Sequence, residues 1–436
     1  MSDYGSGNDE VDALVAFGQA LVEAILEQQP LALVRHMVED GAPLLGSNEQ
    51  QSVIFCGPRP ANLRKPKMSV SVTPSSLTFP TSTATVSVKV FNAINSLSAP
   101  SAIFFSAAPG SLADESSTRL TGPAKSFLIE HPSGKKLVFD LGVRKDVSTA
   151  SKTWQDTLAS GKMQAEYGPD SDVAETLVKH GIDLEHINAV IWRQVSATLL
   201  HSHIDHVGNP STFPPTTALV VGAGTQAANR PGYPLNPEAM LPESDFLGRD
   251  VIEIPFADDA PIVAGLKGYD YFGDGSFYLL EAPGHCVGHM LGLARTTPSP
   301  SASWILMAGD AAHHPAMLRP SLHVPLPAAL EPLVPAALRA CARDTPFLAP
   351  ADRAVAVHHD WDRARDTLEV VRALDARPDV WVILAHDGSL DADVKGVGEG
   401  RVRWLPEEAN AWKAEGVKEH LRWKYLEKGN QANRWK

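Results

Sequence analysis

The chain predicts an α/β fold, on three observations. Short apolar runs rich in Val, Ile, Leu and Trp, at residues 187–192, 277–280, 304–309 and 380–385, have the length and composition of buried strands. Segments with apolar residues at helical spacing, notably 173–180 and 360–374, lie between them. Each run also leads to histidine or aspartate: the cluster at 201–206, then His285, Asp310 and His386. A sheet carries rigid side chains to one edge in this way. The recurrence therefore predicts one site assembled from several strand exits.

Taken in order, residues 1–67 read as a helical N-terminal extension with a linker. Apolar residues at helical spacing cover 13–26, and a second helix covers about 31–38 before Gly41, Ala42 and Pro43 stop it. Residues 60–67 form a basic, proline-punctuated linker. The remainder, 68–436, reads as one large domain that opens with irregular Ser/Thr/Pro-rich sequence. A first strand is expected at 85–91, a helix at 154–158, and another at 173–180 ended by Gly181. Residues 210–261 are loop-rich, with Pro231, Pro234, Pro237 and Pro242, and 315–350 mix helix with loop. The helix at 360–374 is amphipathic, with Arg363, Arg365 and Arg372 on its expected wet face.

The cluster His201-Ser202-His203-Ile204-Asp205-His206 holds four potential metal ligands in six residues. In extended backbone, side chains two apart share a face, so His201 and His203 can hold one ion together. A turn into helix lets Asp205 and His206 swing toward a second. Imidazoles with a carboxylate suit a borderline cation such as zinc. The competing reading is a histidine-rich surface loop.

With Asp140, this cluster, His285, Asp310 and His386 in that order, the chain from about 82 to about 422 resembles the metallo-β-lactamase superfamily. The flanking sequence from Ser126 to Gly142 is similar to the N-acyl-homoserine-lactone lactonase branch, especially its fungal members. The resemblance implies an αββα four-layer sandwich with two zinc ions at the sheet edge. It implies that His201, His203 and His285 bind one zinc, that Asp205, His206 and His386 bind the other, and that Asp310 bridges them. True zinc β-lactamases are less similar, since they usually lack that bridging carboxylate. The resemblance further implies a hydrolase that opens a cyclic ester, as in quorum quenching. A cyclic amide or carbamate, a thioester, or metal binding without turnover are the alternatives.

Two zinc ions roughly 3.5–4 Å apart would bring water to hydroxide near neutral pH and polarise the scissile carbonyl. By the same resemblance, Asp205 would also shuttle a proton to the leaving group. In bacterial lactonases a tyrosine three residues after the bridging aspartate polarises the carbonyl; here that position is His313. An imidazole can donate the same hydrogen bond, while the competing reading makes His313 and His314 exposed loop residues. The chain departs from its family at 194–200, which intervenes between strand 187–192 and His201 and puts the register of His201 and His203 in doubt.

Composition bounds the rest. A net charge of -13 disfavours nucleic acid as a partner, because a phosphate backbone would be repelled. A small-molecule substrate is expected instead. Three widely spaced cysteines, Cys56, Cys286 and Cys341, imply no disulfide framework. Cys286 neighbours His285 and reads as packing, not as a ligand, because adjacent residues in such a loop point apart. No stretch reaches the roughly 18 apolar residues of a membrane span, and the acidic N-terminus lacks a signal-like basic region. The expectation is a cytoplasmic protein without membrane partners. The N-terminal helices would serve either as an appendage or to join two copies in a homodimer.

Overall fold

In a computed structural model, residues 72–107, 119–161, 163–166, 172–193, 204–334, 338–339, 342–391 and 405–427 are described. The extension at 1–67, the segment 194–200, His201 and His203 lie outside them. The apolar runs collect into two large sheets. The first holds β1 (Ser87–Pro100), β3 (Arg119–Glu130), β4 (Lys136–Phe139), β5 (Gln164–Glu166), β6 (Ile187–Trp192), β7 (Ala218–Val221) and β8 (Val251–Glu253). Its order is β5-β1-β3-β4-β6-β7-β8, antiparallel through β4 and parallel from β4 to β8. The second holds β9 (Ile262–Val263), β10 (Leu266–Asp270), β11 (Phe277–Glu281), β12 (Met290–Thr297), β13 (Ser303–Gly309) and β15 (Val380–Leu384). It is antiparallel except where β15 runs parallel to β13. A short pair, β2 (Phe105–Ala107) with β14 (Leu348–Pro350), lies apart.

The period-two alternation of strands explains the layering. Leu137, Phe139 and Ile191 of the first sheet share a core with Met290, Ile305, Met307 and Ile383 of the second. Their neighbours Val138, Val190 and Trp192 face the other way and pack on Val173, Ala174 and Leu177 of helix Val173–Lys179. On the far side of the second sheet, Leu306, Ala308, Val382 and Leu384 meet Leu368, Val371 and Leu374 of helix Trp361–Asp375. The architecture is therefore helix, sheet, sheet, helix. Each fully buried Leu, Ile or Phe contributes about 1.5–3 kcal/mol, so strands apolar on both faces must be covered on both.

Helix Trp361–Asp375 starts where Asp360 accepts from Arg363 N at 3.1 Å, an N-cap that satisfies an orphan donor. Two local expectations need correction. Arg372 is not on the wet face: its guanidinium is mostly buried and donates to the Met317 carbonyl at 2.8 Å. The first strand starts at Ser87 and continues well past 91, to Pro100. Register shifts after Asn92 and after Ile94 let it keep pairing with β3 where its alternation fails. No helix of the described residues is long and apolar enough to cross a membrane.

Strands β4 and β6 run parallel, as do β13 and β15, and β11 has the same direction as β13. Their C-terminal ends therefore share an edge within each sheet. Met290 N donates to Arg193 O at 2.8 Å and ties the two edges together.

Candidate metal centre

Four of the candidate residues converge at this joint edge. Asp205 and His206 stand on the short helix Ile204–Val207, Asp310 follows β13, and His386 follows β15. All four are buried, and their ligating atoms lie within 4.8 Å of one another. The Nε2 of His206 is 3.1 Å from Asp310 Oδ2 and 3.3 Å from Asp205 Oδ2. The Nε2 of His386 is 3.1 Å from Asp205 Oδ2 and 3.4 Å from Asp310 Oδ1. Each ring is anchored from behind. His206 Nδ1 lies 3.1 Å from Asp140 Oδ2, and His386 Nδ1 donates to the Pro123 carbonyl at 2.8 Å. Such anchoring orients each ring so that Nε2 faces inward.

Asp140 reaches His206 by taking a left-handed backbone conformation, with φ 65°, which a non-glycine residue adopts only where its surroundings insist. Here Asp140 N donates to Ile191 O at 3.1 Å and Ser126 Oγ donates to Asp140 O at 2.8 Å.

A second group shares Asp310. His285, at the turn after β11, places Nε2 3.6 Å from Asp310 Oδ2, and His313 does the same at 3.6 Å. His313 is fully buried, its ring lies 4.6 Å from that of Phe104, and neither ring nitrogen has a hydrogen-bond partner. The exposed-loop reading of His313 and His314 is thus overturned, since both pack inside the molecule. His314 Nδ1 instead caps the following turn, accepting from Ala316 N at 3.0 Å. Cys286 is buried and joins neither group. His201 and His203, expected beside His285, lie outside the described residues.

Charge differs sharply between the groups. Burial pushes His386 down, but Asp310 and Asp205 outweigh it and hold its pKa at about 9. His206 is likewise raised well above the usual histidine value: burial and Arg193 oppose this, and the carboxylates of Asp205, Asp310 and Asp140 prevail. Burial works against ionisation of Asp205 and Asp310, yet the neighbouring imidazoles hold both well below the usual carboxylate range. His313 faces only Asp310 at comparable range, and burial takes it down to about 3.

Arg193, which sequence reasoning passed over, stands among these groups. Its Nε donates to Asp140 Oδ2, and Nη2 lies 2.6 Å from His206 Nδ1 and 3.2 Å from Asp310 Oδ1. It directly follows β6, so the strand-exit rule that singled out Asp310 and His386 could have found it. His358 was missed too, 3.0 Å from His285 and 73 residues away in sequence, with no local signal to announce it. The donor set fits a metal ion: buried imidazoles and carboxylates of the types that ligate zinc, arranged around a shared aspartate.

No family profile matches the chain. Curated relatives do. γ-Lactamase FDB1 of Fusarium pseudograminearum is 37% identical over 328 residues, which cover 70% of this chain and 74% of that protein. Metallo-hydrolase mfmC of Annulohypoxylon moriforme is 38% identical over 325 residues, or 70% and 78% of the two chains.

The chain belongs to the metallo-β-lactamase superfamily.

Another relative of this chain is cytochrome P450 monooxygenase mpaDE' of Penicillium brevicompactum, 36% identical over 357 residues. That match takes in 80% of the present chain but only 38% of the relative's length.

Proposed function

We propose that this superfamily member is a dinuclear zinc hydrolase that opens a cyclic ester. The observation that carries the reading is the shared carboxylate: His206, His386 and His285 all turn Nε2 toward Asp310, with Asp205 alongside. Asp205, His206 and His386 would hold one ion, His285 with His201 and His203 the other, and Asp310 would touch both. When bound, the two ions supply an activated water and a Lewis acid for the carbonyl.

The chain's own residues do the rest. Asp205 is held ionised by the neighbouring imidazoles, so it can take a proton and pass it to the leaving atom. His313 is neutral, buried and without a hydrogen-bond partner. Its N–H is therefore free to donate to a substrate carbonyl as negative charge develops there. The apolar wall at Phe104 holds the ring in place and keeps water from competing. The substrate is a small molecule, since the donors sit in buried positions at one sheet edge.

A second reading, opening of a cyclic amide, is favoured by the name γ-lactamase of a relative 37% identical. The same residues serve it, with Asp205 protonating a leaving nitrogen. The decisive test is metal analysis followed by hydrolysis rates across a panel of lactones, lactams and thioesters. About two equivalents of zinc and preference for lactones support the leading reading. Preference for lactams moves the assignment to the second, and less than half an equivalent of metal rejects both.

A further inference from the structure

Of the four imidazoles that turn Nε2 toward Asp310, His206, His386 and His285 are also contacted from behind at Nδ1. For His206 the contacts are the Asp140 carboxylate at 3.1 Å and the Arg193 guanidinium at 2.6 Å, and for His386 the holder is the Pro123 carbonyl, a plain acceptor, at 2.8 Å. For His285 it is another imidazole: its Nδ1 lies 3.0 Å from His358 Nδ1. In such a pair one nitrogen carries the proton and the other accepts it. If His358 donated, His285 would carry its proton on Nε2, toward Asp310, and could not ligate there. If His285 donates, its Nε2 lone pair faces inward, where it can ligate.

The backbone is built to keep this pair together. His359 N donates to His285 O at 3.0 Å and Asp360 N to Gly284 O at 2.8 Å. Thr367 Oγ1, about two turns further along in helix Trp361–Asp375, donates to Pro283 O at 2.8 Å. Gly284 has φ 118°, and a Cβ there would lie 1.9 Å from Ala364 N, so only glycine lets the helix start approach so closely. Three consecutive residues, Pro283, Gly284 and His285, are thus tied to the neighbouring loop and helix around one imidazole pair.

We propose that His358 is a positioning residue: it accepts the Nδ1–H of His285 and holds that ring in the tautomer whose Nε2 can ligate beside Asp310. The inference rests on the metal-binding role proposed above for His285. It gives the loop at 351–360 a task in the centre, that of setting affinity for the ion on the His285 side.

The experiment is a zinc titration of the full chain against a chromophoric chelator, with nitrogen NMR of the His285 ring. Three proteins are compared: the parent, His358→Phe, which keeps a ring without an acceptor, and His358→Asn, whose amide oxygen can accept. His358→Phe should weaken one of the two zinc sites by about 10- to 100-fold. It should leave the other site and the thermal midpoint of the metal-free protein close to the parent's. His358→Asn should recover most of the affinity, and the parent's His285 should carry its proton on Nδ1. Unchanged zinc affinity in His358→Phe overturns the proposal, as does equal loss in both variants, which would make the role one of packing. A parent that takes up no zinc overturns the metal-centre reading itself, a distinct result.

Discussion

The two halves of the centre differ in charge: one is ionised, the other neutral. Around His206 and His386 stand the carboxylates of Asp205, Asp310 and Asp140, and both imidazoles are held protonated against the pull of burial. Around His285, His313 and His358 the nearby carboxylate is Asp310, and burial drives His313 to about 3 and His358 to about 4. The number of carboxylates decides, because each added negative charge favours the imidazolium against the desolvation that opposes it. One half thus seeks a cation, and the other offers neutral donors and acceptors. A hydrolytic site needs both, one to hold charge and one to meet an uncharged carbonyl.

Asp310 belongs to both halves, so its loss should erase the distinction. Asp310→Ala is expected to lower hydrolysis by several orders of magnitude and to reduce zinc in both sites, with far-UV circular dichroism unchanged. Near-normal turnover would show that the halves work independently.

His313 tests the neutral half alone. His313→Ala should reduce kcat by roughly 10- to 1,000-fold while KM moves little, because its hydrogen bond strengthens only as the carbonyl becomes an oxyanion. His313→Tyr, which restores a donor, should recover part of that rate on a lactone. Steady-state kinetics with zinc-loaded enzyme separate these outcomes. Equal kinetics in all three proteins would leave His313 with packing alone.

The charged half should respond to pH through the metal. At neutral pH His386 carries a proton in the metal-free protein, since its pKa is about 9. Zinc must displace that proton. Apparent zinc affinity should therefore rise with pH, by up to about tenfold per unit for one displaced proton, and level off above about 9. Chelator competition between pH 6 and 10, as an approximate range, measures this. A flat profile would mean that no proton is exchanged at His386.

The smallest zinc-dependent effect is expected at Arg193, the cation already within the charged half. Its guanidinium and a metal ion draw on the same Asp310. Removing one partner of a buried ion pair costs about 3–5 kcal/mol, so Arg193→Met should melt earlier without metal. Added zinc should raise its melting temperature by a few degrees more than it raises the parent's. Equal zinc-induced shifts in the two proteins would show that the guanidinium and the ion do not share a carboxylate.

Much of this centre was legible beforehand, for a local reason. Strand periodicity acts over a few residues, so runs such as 304–309 and 380–385 disclosed strands and the residues that leave them, Asp310 and His386. The covering of both strand faces followed from the same pattern, because strands without a polar face must be buried twice. Asp205 and His206 stood out by spacing alone.

What tertiary structure alone decided is which distant groups meet. The sequence marked His313 but left open whether it was exposed; packing against Phe104 settled that. Arg372 looked solvated by its place on a helical wheel, yet the neighbouring turn at Met317 offers its carbonyl and draws the guanidinium in. Strand length past Phe91 depended on bulges that only pairing with β3 permits. The approach of His358 to His285 spans 73 residues and depends on Gly284 admitting a helix end. Periodicity is a property of one segment, whereas a tautomer or a charge state belongs to whatever the folded chain brings within a few ångströms.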